Sequence, residues 1–176
     1  MMNSLPKLSF VIGGASSGKS DFAERLAHCR DLSKHYIATA QVLDAEMEEK
    51  VALHRQMRSN DWTLHEAPFD LTEVLAGLTS NDVALIDCIT MWLSNHMMEN
   101  SNVVQATENL LASILNSPAK VIVVSNEVGH GIVPDNKLAR RFRQAQGKLN
   151  IAFAAQADLA ILVVAGLPQI LKGEMP

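Results

Sequence analysis

The chain has 176 residues, 48% of them hydrophobic, with 19 acidic against 15 Lys and Arg side chains and a formal charge of −4 at pH 7. That length suits one domain over residues 1–176 with a real core, and the acidic balance argues against a general nucleic-acid-binding surface. No apolar run approaches the roughly 18 residues of a membrane span, and no long apolar core follows the early Lys7, so neither a membrane span nor a secretory leader is expected. Cys29 and Cys88 stand far apart without metal-ligand spacing and read as buried thiols of a cytoplasmic protein.

In chain order, Leu8, Phe10, Val11 and Ile12 predict a buried strand over Leu8–Ile12. It runs into Gly13-Gly14-Ala15-Ser16-Ser17-Gly18-Lys19-Ser20, which fits G-x-x-x-x-G-K-[ST], and Phe22, Ala23, Leu26 and Cys29 then mark one side of a helix. Strand, glycine loop and helix in that order are the context a phosphate-binding loop requires. Glycines let backbone N–H groups turn inward around an anion, and the helix N-terminus adds partial positive charge. The chain is therefore expected to bind a nucleoside triphosphate, with Lys19 reaching the β- and γ-phosphates and the Ser20 hydroxyl ligating Mg²⁺.

A short strand is expected at His35–Ala38, and Thr39 and Gln41 beyond its end are candidates to line the nucleotide pocket. From Asp44 to Arg58 the pattern is helical: Asp44 can cap it, Glu46 and Glu48 suit its positive end, and Met47, Val51, His54 and Arg58 share one face. On spacing alone, His54 reads as a satisfied buried histidine. Trp62–Glu66 predicts another short strand, and Asp70 followed by Glu73 reads as the cap of a helix carrying Val74, Leu75 and Leu78.

Val83–Ile86 is four apolar residues ending at Asp87, which looks like the strand that brings a second carboxylate to a Mg²⁺ shell; a capping or loop aspartate is the alternative. A helix is expected over Val103–Leu115, ended by Asn116-Ser117-Pro118, and a strand over Lys120–Val124. The glycine-containing loop Asn126–Gly131 after it is either a second-substrate site or a plain connection. Pro134 is expected to open a long helix with Leu138, Phe142, Ala145, Leu149 and Phe153 as its stripe, Gly147 arguing against one unbroken element. Leu159–Val164 is the last predicted strand, and the isolated His28, His35 and His96 carry no assigned role. Strands alternating with helices imply an α/β architecture, a mainly parallel central sheet covered on both faces.

Four segments, GGASSGKSDFAE (Gly13–Glu24), YIATAQVLDAEM (Tyr36–Met47), the H-R-x-x-R of His54–Arg58 and NEVGHGIVPDNKLARRFR (Asn126–Arg143), carry a resemblance nearly end to end. The chain resembles the bifunctional adenosylcobinamide kinase / adenosylcobinamide-phosphate guanylyltransferase family of cobalamin biosynthesis. The resemblance implies a P-loop NTPase, recombinase-like three-layer fold and two reactions. ATP or GTP would phosphorylate adenosylcobinamide, and GMP from GTP would then pass to adenosylcobinamide phosphate, leaving adenosylcobinamide-GDP and pyrophosphate. It implies His54 as the residue that carries the guanylyl group, reversing the reading from spacing. It also implies nucleotide contacts from Thr39, Ala40, Gln41, Arg55, Gln56, Met57, Arg58, Glu66 and Asp87, and a homotrimer. Rival readings are a single-activity P-loop kinase for another small alcohol, with no use for His54, and an ATP-driven recombinase-like assembly module. Three departures from the family pattern stand out: Ser16 where Arg is frequent, Asp87 where Glu is frequent, and Gln144 where Asp is common.

Overall fold

The computed structural model describes residues 4–28, 31–41 and 61–176. The strands are β1 (Leu8–Gly13), β2 (Ser33–Ala38), β3 (Trp62–Glu66), β4 (Asp82–Asp87), β5 (Lys120–Asn126), β6 (Leu159–Val164) and β7 (Leu167–Lys172). The helices are α1 (Lys19–Ala27), α2 (Thr72–Ala76), α3 (Ile89–Met98), α4 (Val103–Asn116) and α5 (Lys137–Gln156). The strands form one seven-stranded sheet in the order β3-β2-β4-β5-β1-β6-β7. Every pairing is parallel except β6 with β7. This is the expected α/β architecture.

Period-two alternation divides the buried strand residues between two cores, because successive side chains point to opposite faces. Leu8, Phe10, Ala84, Ile86, Val121 and Val123 face one side, where they pack with Leu75, Trp92, Ile114, Leu149 and Phe153 of the helices α2 to α5. Val11, Val83, Leu85, Ile122, Val124 and Ile161 face the other, against Phe22, Ala23, Leu26 and Ala27 of α1. Buried on both faces, the central strands read as continuous apolar runs, as parallel strands do.

The connections leave two neighbouring strands towards opposite faces. From β1 the chain passes through α1 on one side; from β5, which pairs with β1, it passes through α5 on the other. Such a reversal opens a crevice beyond the carboxyl ends of the strands, the usual ligand site of open α/β sheets.

Several boundaries differ from the sequence expectation. The last helix begins at Lys137 rather than Pro134, because Asn136 caps it: its side-chain oxygen accepts from the N–H groups of Leu138 (2.7 Å) and Ala139 (3.2 Å). It continues unbroken through Gly147 for 20 residues. The helix after Asp70 is only five residues long, and the Asp70 carboxylate accepts from the Thr72 N–H at 2.8 Å. Helix α3 and strand β7 were not expected. The helix expected over Asp44–Arg58, with His54, Arg55, Gln56, Met57 and Arg58, lies outside the described residues, as does Cys29.

At the β2–β3 edge His35, without a role in the sequence reading, meets His65. The rings stack with centroids 5.3 Å apart, and His35 Nδ1 lies 3.0 Å from His65 Nε2, a contact that holds one proton. His35 Nε2 lies 3.5 Å from Asp82 Oδ1. Burial, and secondarily the neighbouring His35, lower the His65 pKa below its ordinary value. A base with a lowered folded pKa leaves the unfolded chain binding more protons, so stability is full above about pH 6.5 and falls as the pH drops towards the folded value. His65→Gln is expected to flatten that acid-side decline in urea midpoints measured across the interval from about pH 7 to pH 5. An unchanged slope would assign the decline to other groups.

Candidate active site

The phosphate loop occupies the crevice. Gly13 ends β1 with Asn126 of β5 and Val163 of β6 as its lateral partners. The loop closes on itself through the Ser17 N–H donating to the Gly14 carbonyl at 3.3 Å, and the Phe22 N–H opens α1 by donating to Gly18 at 3.0 Å. Gly18 sits at the helix N-cap with φ +86°, a left-handed conformation that suits glycine. Lys19 Nζ donates to the Gly14 carbonyl at 3.1 Å, folding the ammonium back across the loop. Ala15 and Ser16 are exposed; Ser17, Lys19 and Ser20 are half-buried. The Ser17 hydroxyl oxygen is itself buried and has no hydrogen-bond partner among the described residues.

A hairpin braces this loop from the side. Ala165 (φ +52°) and Gly166 (φ +77°) form the two-residue turn between β6 and β7, and the Gly166 N–H donates to the Ser17 carbonyl at 2.8 Å. Positive φ at both central residues matches the primed turn that tight hairpins favour. A Cβ on Gly18 would lie 3.1 Å from Gly166 Cα, so the two glycines allow the close approach.

Asp87, Ala38 and Glu66 share one transverse row at the ends of β4, β2 and β3. Asp87 is half-buried, and its Oδ2 accepts from the Tyr36 hydroxyl at 2.9 Å. Glu66 is exposed at the outer end of the row. Thr39 is fully buried: its hydroxyl donates to the Cys88 carbonyl at 2.6 Å, and its own carbonyl accepts from Asn95 Nδ2 at 2.8 Å. Its side chain therefore ties the ends of β2 and β4 together, while Ala40 and Gln41 are half-buried beyond it. The Cys88 thiol, buried beside the Asp87 charge, is pushed up to about 11 and stays protonated at neutral pH.

Ser20 and Asp87 supply the oxygen donors that suit Mg²⁺, which is commonly held by one or two protein oxygens together with substrate phosphates. No cluster of three or more His, Cys, Asp or Glu side chains that could hold a metal occurs among the described residues.

Several supports carry no strong signal of their own in the sequence. Thr90 Oγ1 accepts from the Asn126 N–H at 2.8 Å, and Asn150 Nδ2 donates to the Asn126 carbonyl at 3.2 Å, fixing the tip of β5. The Glu127 N–H donates to the Gly13 carbonyl at 3.0 Å. Arg140 and Arg143 hold the following loop. A separate groove of about 540 Å³ between α4 and α5, bordered by Val104, Leu111, Arg141 and Lys148, includes none of the predicted site residues that are described.

A phosphate loop at the switch point of a mainly parallel sheet defines a nucleotide-binding P-loop α/β protein. The chain belongs to the cobinamide kinase / cobinamide phosphate guanyltransferase family, whose CobU model matches residues 9–171. It is 40% identical over 167 residues to the bifunctional adenosylcobalamin biosynthesis protein CobP of Pseudomonas aeruginosa, covering 93% of this chain and 96% of that one. It is 38% identical over 174 residues to the corresponding CobU protein of Escherichia coli K12, covering 89% and 95%. Among solved structures, a protein from Pyrococcus horikoshii OT3 superimposes with a TM-score of 0.58 at 7% identity, over 97% of this chain and 88% of that one. A type III secretion ATPase of pathogenic bacteria gives 0.53 at 10% identity, over 93% and 56%. These two likenesses concern the fold alone.

Proposed function

We propose that this enzyme phosphorylates the hydroxyl of adenosylcobinamide with ATP or GTP and then transfers GMP from GTP onto the resulting phosphate. The observation that carries the reading is the family match over residues 9–171, joined to a braced phosphate loop at the crevice. In the kinase step the backbone N–H groups of Gly13–Gly18 and the Lys19 ammonium position and neutralise the phosphates, which is most of what phosphoryl transfer requires. Mg²⁺, held by Ser20 and Asp87, would offset charge on the phosphate oxygens. Thr39, Ala40, Gln41, Arg55, Gln56, Met57, Arg58 and Glu66 surround the guanine nucleotide in this reading.

In the guanylyl step a neutral His54 nitrogen attacks the α-phosphorus of GTP. The N–P bond forms as the bond to the β-phosphate bridge breaks, and pyrophosphate leaves. An oxygen of adenosylcobinamide phosphate then attacks the same phosphorus, the N–P bond breaks, and adenosylcobinamide-GDP is formed. A covalent intermediate divides one difficult transfer into two easier ones. The enzyme acts in the cytoplasm as a homotrimer, without nucleic acid. Exposed Val164, Leu167, Ile170 and Leu171 on the β6–β7 hairpin support assembly, and the net charge of −4 argues against a nucleic-acid partner.

Incubation with GTP labelled at the α-phosphate, followed by denaturation, tests the reading. The expected product is an acid-labile, base-stable label on the chain that is absent from His54→Ala. Label retained in that variant would move the nucleophile elsewhere. No label on the parent chain would leave a kinase of one activity or an ATP-driven module.

A further inference from the structure

The segment of residues 127–136 leaves the tip of β5 beside the phosphate loop and belongs to no helix or strand. Its conformation is nevertheless enforced from below. The Arg143 guanidinium donates to the carbonyls of Gly129, Ile132 (3.2 Å) and Gly131 (3.5 Å), and Arg140 donates to those of Pro134 (2.8 Å) and Asp135 (2.6 Å). The Glu127 carboxylate accepts from the Gly129 N–H, and Asn136 closes the segment as the α5 cap. Two arginines one turn apart thus engage five carbonyls of a ten-residue loop.

At the crest of this pinned loop the side chains are apolar and uncovered. Ile132 is 95% exposed, Val133 66% and, in the first turn of α5, Leu138 64%. A single exposed aliphatic residue needs no explanation, but a group of them on a segment held in one shape is the character of a recognition surface. The crest is also close to the chemistry. Glu127 is bonded to Gly13, and the five residues from there to Ile132 span at most about 18 Å.

We propose that Ile132, Val133 and Leu138 form the platform that receives the corrinoid acceptor. The assignment rests on the function proposed above. A cobinamide carries its reacting hydroxyl on a flexible arm, so its bulk must rest near the phosphate loop without entering it. The macrocycle is large, its peripheral methyl groups and the methylene stems of its amide arms are apolar, and an apolar crest flanked by polar loop atoms complements them. Arg140 and Arg143 are positioning residues: they fix the crest before the acceptor arrives, which reduces the ordering cost of binding.

The test is the doubly substituted full-length protein Ile132→Glu/Val133→Glu, both changes lying at exposed positions. Equilibrium dialysis against adenosylcobinamide should show affinity about tenfold weaker or more, and the acceptor KM of the kinase reaction should rise in parallel. The KM for ATP, the α-phosphate label from GTP and the gel-filtration volume should match the parent. The doubly conservative Ile132→Leu/Val133→Leu should bind like the parent. Unchanged corrinoid affinity in the Glu variant would overturn the assignment. So would an altered gel-filtration volume, which would make the crest a contact between copies of the chain. Because dialysis reads binding without turnover, a parent that binds the corrinoid but transfers nothing would sink the proposed reactions and leave the platform standing. A parent that binds no corrinoid would overturn the platform.

Discussion

Lys19→Met is expected to lower both transfers by about 100- to 1000-fold, the loss typical when one donor to developing transition-state charge is removed. Lys19 is the first residue of α1, and its ammonium reaches back to the Gly14 carbonyl at 3.1 Å, so its charge already lies at the glycine loop. A phosphate seated there would take that hydrogen bond in place of the carbonyl. Both proposed reactions draw on this charge, the kinase step at the transferred γ-phosphoryl group and the guanylyl step at the departing pyrophosphate. Lys19→Arg should not restore activity, because a planar guanidinium does not replace a compact ammonium in a loop of this size. Lys19 is half-buried and anchors no core packing, so the urea midpoint should barely change. The decisive measurements are single-turnover phosphorylation of adenosylcobinamide and chain labelling by α-labelled GTP. A variant that keeps either one within about threefold of the parent would remove Lys19 from the phosphate site.

The parts of this fold that show in the sequence are those with a strong local signal. The strands β1, β4, β5 and β6 are near-continuous apolar runs, and the glycine loop between β1 and α1 has three fixed residue types at fixed spacing. Helix α3 lacks such a signal. Ile89, Thr90, Trp92, Leu93 and Asn95 are all buried, so the helix shows no polar face, and its cap position, Cys88, makes no side-chain cap bond. Strand β7 was missed for the opposite reason: all six of its residues are exposed, and Pro168 interrupts a pattern already at the sheet edge. Pro134 predicts the start of α5 because proline often opens a helix, but Asn136 supplies the cap two residues later.

The candidate site divides along the same line. The phosphate loop and Asp87 could be read locally, since each sits at the end of a recognisable strand. The turn Ala165-Gly166 that braces the loop could not, because it is about 150 residues away in sequence and shows only as a small residue before a glycine. Thr39 is expected to line the nucleotide pocket, and only the folded chain shows that its hydroxyl also links β2 to β4 through the Cys88 carbonyl. Arg140 and Arg143 stand inside a segment that carried the family resemblance, yet only the folded loop shows which carbonyls they engage. His54 could be assigned only through that resemblance, since helical spacing favours a buried packing role.

Gly13→Ala is expected to damage the site by a different route, through the backbone rather than through charge. A Cβ at Gly13 would lie 2.7 Å from the Val163 carbonyl oxygen and 2.4 Å from Ser17 Oγ. The serine hydroxyl can rotate away, but the Val163 carbonyl belongs to β6, which is paired with β1 along its length. Either β1 separates from β6 at its tip or the loop lifts. Overpacking of this kind costs about 1–3 kcal/mol, and in a chain of this size each kcal/mol lowers the melting temperature by about 2–4 °C. Displacing the loop also turns its N–H groups away from the phosphate, so ATP and GTP affinity should fall together, by about tenfold or more, since a polar site loses several hydrogen bonds at once. Gly14→Ala provides the contrast. A Cβ there meets no atom of the described residues within 4 Å, so its melting temperature should stay within a degree or two of the parent. Thermal melts of the two variants, with and without saturating GTP, decide the matter. If Gly13→Ala melts like Gly14→Ala and keeps the full stabilisation by nucleotide, the close approach of β1 to β6 does not set the shape of the phosphate loop.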